Sequence, residues 1–132
     1  MAKITIVDSD TSNIAYIKTC IEQPAHRLSF ISNASELIKQ LSNQLPDIII
    51  IAVDLEGGDG RELSRFLNAE PRYRNIPVIL TSPYYHTEND VKTFFSDDLI
   101  ATPFEGSALV TSIESLLEKK LITDMRLEKL AS

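Results

Sequence analysis

Polar segments that end or follow apolar runs are the places in this chain where chemistry could occur. Asp8, Ser9 and Asp10 follow the first such run, Thr81-Ser82 ends another, and Thr102 follows a third. Carboxylate and hydroxyl oxygens of this kind can hold a divalent cation or contact a transferring phosphoryl group. Ala52 ends the most apolar run, residues 48–51. Its methyl group can neither attack phosphorus nor bind a metal.

The elements that would position these residues alternate between strand-like and helix-like patterns. Such alternation indicates an α/β fold with a parallel sheet between helices. Residues 48–53 do not alternate apolar with polar residues, so we expect both faces of this strand to be covered. The pattern predicts strands at residues 3–7, 27–31, 48–53, 78–81 and 99–101, and helices at 12–23, 34–44, 61–70, 86–95 and from 107 onward.

Five parallel strands joined by right-handed crossovers leave few topologies. The pattern fits a flavodoxin-like sheet in the order 2-1-3-4-5. In such a sheet the functional crevice lies at the carboxyl ends of the strands, near the point where strands one and three are neighbours. We therefore predict that the polar segments and Ala52 meet in one crevice.

Several local features follow from residue type. Asp10 is expected to cap the first helix, and Asn33, with Glu36 three residues later, the second. Residues 57–60 contain three glycines and are predicted to form a loop. Phe66 is expected to face the core with its helix, as are Ile38 and Leu45 with theirs.

Length and charge limit the classes of partner. The chain has 132 residues and a net charge of −6, which fits one compact acidic domain and argues against nucleic acid or an anionic membrane as a partner. Its one cysteine, Cys20, favours a cytoplasmic location. We predict a domain at residues 1–118. A helical extension at residues 119–132 could connect to another region or form a homodimer.

Five runs, in this order, resemble the receiver domain of two-component response regulators over about residues 3–117. They are residues 4–8 (ITIVD), 46–51 (PDIIII), 59–63 (DGREL), 76–79 (IPVI) and 103–104 (PF). The resemblance implies transfer of a phosphoryl group from a histidine kinase to an aspartate at the end of strand three. It also implies a magnesium ion on two acids after strand one, a hydroxyl after strand four and a lysine after strand five.

The chain departs from this pattern at three chemical positions. Ala52 stands eight residues before Gly60, where the resemblance implies the phosphoacceptor. Ser9 stands at the second acid and Thr102 at the lysine. Without the acceptor carboxylate a buried lysine would lack its counter-charge, which is costly. The three changes are therefore read as one neutralisation.

Two remnants and one further substitution complete the comparison with the family. Asp8 keeps the first acid and Ser82 the hydroxyl, whereas Leu99 replaces a frequent aromatic residue. The resemblance also suggests a cis peptide between Thr102 and Pro103. The chain is thus similar to the pseudo-receivers, a degenerate subset to which the receiver of the gliding-motility protein FrzS belongs.

The leading hypothesis is a protein-interaction module for signalling or localisation that works without phosphorylation, cofactor or metal and is not an enzyme. Its partner is a protein of unknown identity. The resemblance implies a binding face on the fourth helix, fifth strand and last helix, and Tyr84, Tyr85 and Leu99 are candidate contact residues. Two alternatives stay open: a displaced phosphoacceptor at Asp54 or Asp8, or a small ligand in the crevice that Ala52 frees.

Overall fold

A computed structural model of the chain describes residues 2–21, 26–84 and 88–131, with the backbone alone described at Glu88. Five parallel strands form its main sheet. They are β1 (Ala2–Val7), β2 (His26–Ile31), β3 (Ile48–Ala52), β6 (Val78–Ser82) and β7 (Asp98–Ala101), where β4 and β5 denote two short strands described below.

The order of the main sheet is β2-β1-β3-β6-β7. Counted without the two short strands, this is the predicted order 2-1-3-4-5, and the flavodoxin-like fold is confirmed. The sheet reverses its strand order between β1 and β3, which pair from Ile4 with Ile48 to Val7 with Ile51. The carboxyl ends of these two strands therefore lie side by side, as the crevice requires.

Within the described residues, five helices connect and cover the strands. They are α1 (Thr11–Cys20), α2 (Ala34–Asn43), α3 (Gly60–Ala69), α4 (Glu88–Thr93) and α5 (Gly106–Ala131). The predicted caps are confirmed: the side chain of Asp10 accepts from the N–H groups of Ser12 and Asn13, and that of Asn33 accepts from Glu36. These bonds satisfy N–H groups that have no partner within their own helix.

The core has two layers, one on each face of the sheet. One cluster joins the sheet to α1 and α5 through Ile17, Leu109 and Ile113. The other joins it to α2 and α3 through residues such as Leu37 and Leu63. The four isoleucines of β3 are at most 1% exposed. Both faces of β3 are therefore covered, and it is the central strand of the sheet, as predicted. Burying each of these side chains stabilises the fold by roughly 1.5 to 3 kcal/mol.

The predicted loop at residues 57–60 was wrong in detail. Asp54–Leu55 (β4) pairs antiparallel with Gly58–Asp59 (β5), and α3 already begins at Gly60. Gly57 lies at the turn between the two strands with φ 73°, a left-handed conformation that glycine adopts without strain. The segment that follows β3 is therefore a short hairpin.

The first helix is also shorter than predicted. It ends at Cys20, and the N–H of Ile21 closes its last turn on the carbonyl of Ile17. Residues 22–25, which include the predicted end at residue 23, lie outside the described residues, as do residues 85–87 before α4.

Three apolar side chains that were predicted to face the core are exposed. Phe66 is 42% exposed, and Ile38 and Leu45 are exposed to a similar degree. On α3 the fully buried Ser64 takes an inward position, because its hydroxyl donates to the carbonyl of Phe95. The ring of Phe66 instead lies 6.4 Å from that of Tyr73.

The last helix is anchored over its first half alone. Leu109, Ser112, Ile113 and Leu116 are its buried residues, whereas Leu121 is 60% and Leu130 82% exposed. The helix therefore continues past its last buried residue as an exposed segment of residues 118–131, part of which lines a pocket with residues 74–77. Within the part of the chain that the structure describes, no helix has both the length and the apolar character to cross a membrane.

Candidate functional site

A cleft of about 660 Å³ opens at the carboxyl ends of the strands. It lies at the junction of β1 and β3, where the topology predicts a crevice. The structure brings together at this cleft most of the residues that the sequence singled out. Its lining consists of Asp8, Asp10, Ser12, Asn13, Tyr16, Ala52, Asp54, Thr81, Pro83, Thr102, Pro103 and Phe104.

Asp8 is the buried acid of the cleft and is 2% exposed. One carboxylate oxygen accepts from the N–H of Asp10 at 2.9 Å, and the other accepts from the side-chain amide of Asn13. Burial raises the pKa of the Asp8 carboxyl above its ordinary value of 3.8, and these hydrogen bonds act in the opposite direction. The two hydrogen bonds thus orient the Asp8 carboxylate, while burial makes its charged form less favourable.

Ser9 has a structural task that the sequence did not reveal. Its hydroxyl donates to the carbonyl of Ser32 at 2.8 Å and accepts from the N–H of Glu56 at 2.9 Å. These bonds connect the loops that follow β1 and β2 to the turn of the hairpin. The Ser9 oxygen is therefore committed to backbone groups, and Ser9 is not among the residues that line the cleft.

The backbone of Ala52 packs closely against the start of α3, on the side away from the cleft. Its carbonyl lies where α3 begins, and a Cβ atom on Gly60 would come within 2.1 Å of the Ala52 oxygen. The N–H of Gly60 donates to the carbonyl of Val53 at 2.7 Å, and the N–H of Val53 donates to Thr81 at 2.8 Å. The backbone at the end of β3 is thus fixed tightly, while the Ala52 side chain lines the cleft.

Of the two hydroxyl residues at the end of β6, Thr81 lines the cleft, although the sequence pointed to Ser82. Ser82 is fully buried, and its oxygen accepts from the N–H of Tyr84 at 3.1 Å. Thr81 pairs with Ala52 across β3 and β6 and is 2% exposed. Because paired residues of neighbouring strands lie side by side, Thr81 is the natural neighbour of the Ala52 methyl group.

Thr102 lines the cleft, whereas Leu99 does not. Thr102 is half-buried, and its N–H donates to the carbonyl of Ser82 at 2.7 Å. The Thr102–Pro103 peptide is cis, as the resemblance suggested. Leu99 is half-buried and packs against the core cluster that contains α2 and α3.

Asp54 and Tyr84 are joined at the rim. The hydroxyl of Tyr84 lies 3.0 Å from both carboxylate oxygens of Asp54, and this bond raises the pKa of the Tyr84 phenol. Tyr84 is 49% exposed and is not among the residues that line the cleft, so it does not fill the space. Tyr85, the other candidate contact residue, lies outside the described residues.

The residues at this cleft do not fit the magnesium ion that the resemblance implies. Magnesium requires several oxygen ligands in octahedral geometry. Ser9 has committed its oxygen to backbone groups, Ala52 has none in its side chain, and the carboxylate of Asp10 caps α1. Across the described residues, no group of three or more His, Cys, Asp or Glu side chains is arranged to hold a metal.

Sequence reasoning missed the aromatic wall of the cleft. The hydroxyl of Tyr16 donates to the carbonyl of Phe104 at 2.7 Å, and the two ring centroids lie 5.5 Å apart. Tyr16 lies one residue before Ile17, which faces the core, and that position alone does not predict contact with a residue 88 positions away. The helical spacing of residues 13 and 16 after the Asp10 cap was the available signal.

Comparison with known sequences gives a family over most of the chain. The sequence profile of the response regulator receiver domain matches residues 4–114. The sensory transduction protein BceR of Halalkalibacterium halodurans is 27% identical over 121 residues, which are 90% of this chain and 51% of that protein. The response regulator PleD of Caulobacter vibrioides is 26% identical over an alignment of 133 positions, which covers 99% of this chain and 29% of that protein. This chain thus spans about half, or less, of the length of these two relatives.

Comparison with solved structures agrees. The signal receiver domain of a signal transduction histidine kinase from Syntrophus aciditrophicus is 28% identical, with a TM-score of 0.81, over 90% of this chain and 92% of that one. The receiver domain of the Francisella response regulator 1452 is 25% identical, with a TM-score of 0.80, over 90% of this chain and 98% of that one.

Proposed function

This chain belongs to the response regulator receiver domain family, and we propose that it is a pseudo-receiver, a member that acts without being phosphorylated. In this proposal it is a cytoplasmic protein-interaction module of bacterial two-component-type signalling or localisation, and it is not an enzyme. It resembles the receiver of FrzS in this respect. Its partner is a protein.

The observation that carries the proposal is the side chain of Ala52. It lines the cleft at the end of the central strand, beside Asp8 and Thr81. Phosphoryl transfer to a protein needs a nucleophilic atom in line with the leaving group, and small errors of position reduce the rate strongly. A methyl group at this position supports loss of the transfer reaction.

Asp54 and Asp8, the two candidates for a displaced acceptor, are poor substitutes for a carboxylate at position 52. Both oxygens of Asp54 lie 3.0 Å from the Tyr84 hydroxyl, and Asp54 belongs to the hairpin that follows the strand. Asp8 is buried, and each of its oxygens accepts a hydrogen bond.

The interaction face in this proposal comprises α4, β7 and the first half of α5, together with Tyr84 and Tyr85. Tyr84 contributes an exposed aromatic ring, a side chain that is enriched at interface hot spots. Its hydroxyl contacts Asp54 in the absence of any phosphoryl group, and we propose that this bond favours the position of the ring. A fixed surface of this kind is what a phosphorylation-independent module needs.

The decisive experiment asks whether the protein can be phosphorylated. The chain is incubated with acetyl phosphate and magnesium chloride, and its intact mass is measured under conditions that preserve acyl phosphates. A receiver with an intact acceptor aspartate is treated in parallel. We expect a phosphorylated species for that control and none for this chain. A phosphorylated species that disappears in Asp54→Asn or Asp8→Asn would instead identify a displaced acceptor and overturn the proposal.

Partner capture tests the face. We expect the double variant Tyr84→Ala/Tyr85→Ala to retain less protein from a native lysate than the parent chain. Phe66→Ala is the matched control, because it also removes an exposed aromatic ring but lies on α3. Equal capture by the double variant and the parent, with a loss in the control, would place the interface elsewhere.

A further inference from the structure

We propose that the cleft binds an organic ammonium ion, a protonated amine with an apolar body. This proposal is independent of the phosphorylation state and assigns a ligand class to the space beside Ala52. It rests on the carboxyl groups of the lining, on the hydroxyl of Thr81 that is open to the cleft, and on an aromatic wall.

The first observation is the sign of the charges that line the cleft. Asp8, Asp10 and Asp54 contribute three carboxyl groups, and the lining contains no Lys, Arg or His among the described residues. Arg61 is near Asp54 but does not line the cleft, and its guanidinium binds both oxygens of Asp59 at 2.8 to 3.1 Å. The cleft therefore repels anions such as phosphate and attracts a cation.

The second observation is the hydroxyl of Thr81. Thr81 is 2% exposed and lines the cleft, and no hydrogen bond of its hydroxyl is seen among the described residues. This hydroxyl is not one of the fully buried polar atoms that lack a partner, so it is open to the cleft and can accept a donor from a bound ligand. An ammonium group has three N–H donors and can bond Thr81 and a free lone pair of Asp8 together.

The third observation concerns the wall of the cleft. Tyr16 and Phe104 lie side by side with ring centroids 5.5 Å apart, and Pro83 and Pro103 also line the space. Aromatic faces attract organic cations, and prolines offer apolar contact to a hydrocarbon body. A metal ion uses neither feature, so the wall favours an organic cation over a hydrated inorganic one.

The size of the cleft agrees with a small molecule. Sites for small molecules have volumes of roughly 300 to 1,000 Å³, and this cleft has about 660 Å³. The same chemistry could be supplied by a free amine or by a lysine side chain of a protein. The shared chemistry is the primary ammonium group on an apolar stem, and the experiment separates the two sources.

The experiment follows amide NMR signals of the full chain during titration with 2-phenylethylamine to about 10 mM, where a millimolar Kd is still visible. The probe 2-phenylethanol has the same body without the charge. The blocked lysine N-acetyl-lysine-N-methylamide represents a protein lysine, and magnesium chloride represents an inorganic cation. We expect saturable shifts of Asp8, Asn13, Ala52 and Thr81 with the amine, and much smaller shifts with the alcohol.

Thr81→Val is the variant that tests the assignment, because it replaces one hydroxyl by a methyl group of similar size. We expect the Kd for 2-phenylethylamine to rise about three- to tenfold, the range of one hydrogen bond. Thr111→Val makes the same change on an exposed position of α5, away from the cleft, and should leave the Kd unchanged.

Three results would overturn the proposal. They are the absence of saturable shifts with either amine, equal shifts with amine and alcohol, and shifts at these residues with magnesium chloride alone. Tighter binding of the blocked lysine would support an ammonium site whose natural ligand is a protein lysine. Tighter binding of 2-phenylethylamine would support a small-molecule site. Neither outcome depends on whether the chain accepts a phosphoryl group.

Discussion

The two sides of Ala52 are packed very differently. Behind it, the carbonyl group meets the start of α3 so closely that Gly60 has no room for a Cβ atom. In front of it, the methyl group lines an open cleft of about 660 Å³. The backbone of the site is therefore fixed by packing, whereas the Ala52 side chain faces open space. We expect changes of that side chain to disturb the sheet less than changes at Gly60, so a receiver fold is compatible with alanine at this position.

Gly60→Ala would disturb the packed side and has the largest expected effect. The new Cβ atom would lie 2.1 Å from the Ala52 oxygen and 2.8 Å from its carbonyl carbon, so the backbone must move. We expect a loss of about 3 kcal/mol in the free energy of unfolding, measured by urea denaturation. Gly58→Ala is the control, since nothing lies within 4 Å of its added Cβ. Similar stability for both variants would show that the packed side is as tolerant as the cleft.

Asp10→Ala tests whether an acid on the open side is structural. Its carboxylate accepts from the N–H groups of Ser12 and Asn13 at the start of α1. We expect a loss of about 1 kcal/mol in unfolding free energy, and a change of only a few tenths for Asp10→Asn, which keeps the acceptor. Urea midpoints of the two variants give the comparison. If Asp10→Ala unfolds at the midpoint of the parent, the cap contributes nothing and Asp10 belongs to the cleft alone.

Asp8→Asn has the smallest expected effect on stability, and the effect depends on pH. Burial raises the pKa of Asp8 above 3.8. The unfolded chain therefore loses this proton first as the pH rises, and the native state is progressively disfavoured between 3.8 and the raised pKa. Below 3.8 both states hold the proton, so the carboxyl contributes no pH dependence there.

We expect the difference in unfolding free energy between Asp8→Asn and the parent to be more favourable to the variant at pH 7 than at pH 3.5. Urea midpoints of both proteins at the two pH values measure this difference. Glu118→Gln, on the exposed second half of α5, controls for the change in net charge. If Asp8→Asn is less stable relative to the parent at pH 7 than at pH 3.5, the hydrogen bonds from Asp10 and Asn13 outweigh burial.

The sequence predicts the sheet well because its signals are local or come from burial on both sides. The isoleucines of β3, the caps at Asp10 and Asn33 and the alternation of strands and helices each act within a few residues. The hairpin of residues 54–59 was missed because two-residue strands have no periodicity to read. The exposure of Phe66 was missed because the inward position of Ser64 depends on a hydrogen bond to Phe95, 31 residues away.

The site was predicted by position better than by contact. The sequence placed Asp8, Ala52 and Thr102 in one crevice, and all three line the cleft. It did not predict that Ser9 would join three loops, because its partners Ser32 and Glu56 are far away in the chain. Nor did it predict that Thr81 would replace Ser82 in the lining, since that depends on which hydroxyl the Tyr84 N–H meets.

The second half of α5 runs beside the loop that precedes β6. Lys119, Lys120, Thr123, Asp124 and Leu127 line a pocket of about 240 Å³ together with residues 74–77. Residues 118–131 span roughly 20 Å at 1.5 Å per residue, so a tilt of about 5° about the buried half of the helix would displace Leu130 by roughly 2 Å. Any such tilt would also change the width of this pocket, so the exposed half of α5 and the loop before β6 are geometrically coupled.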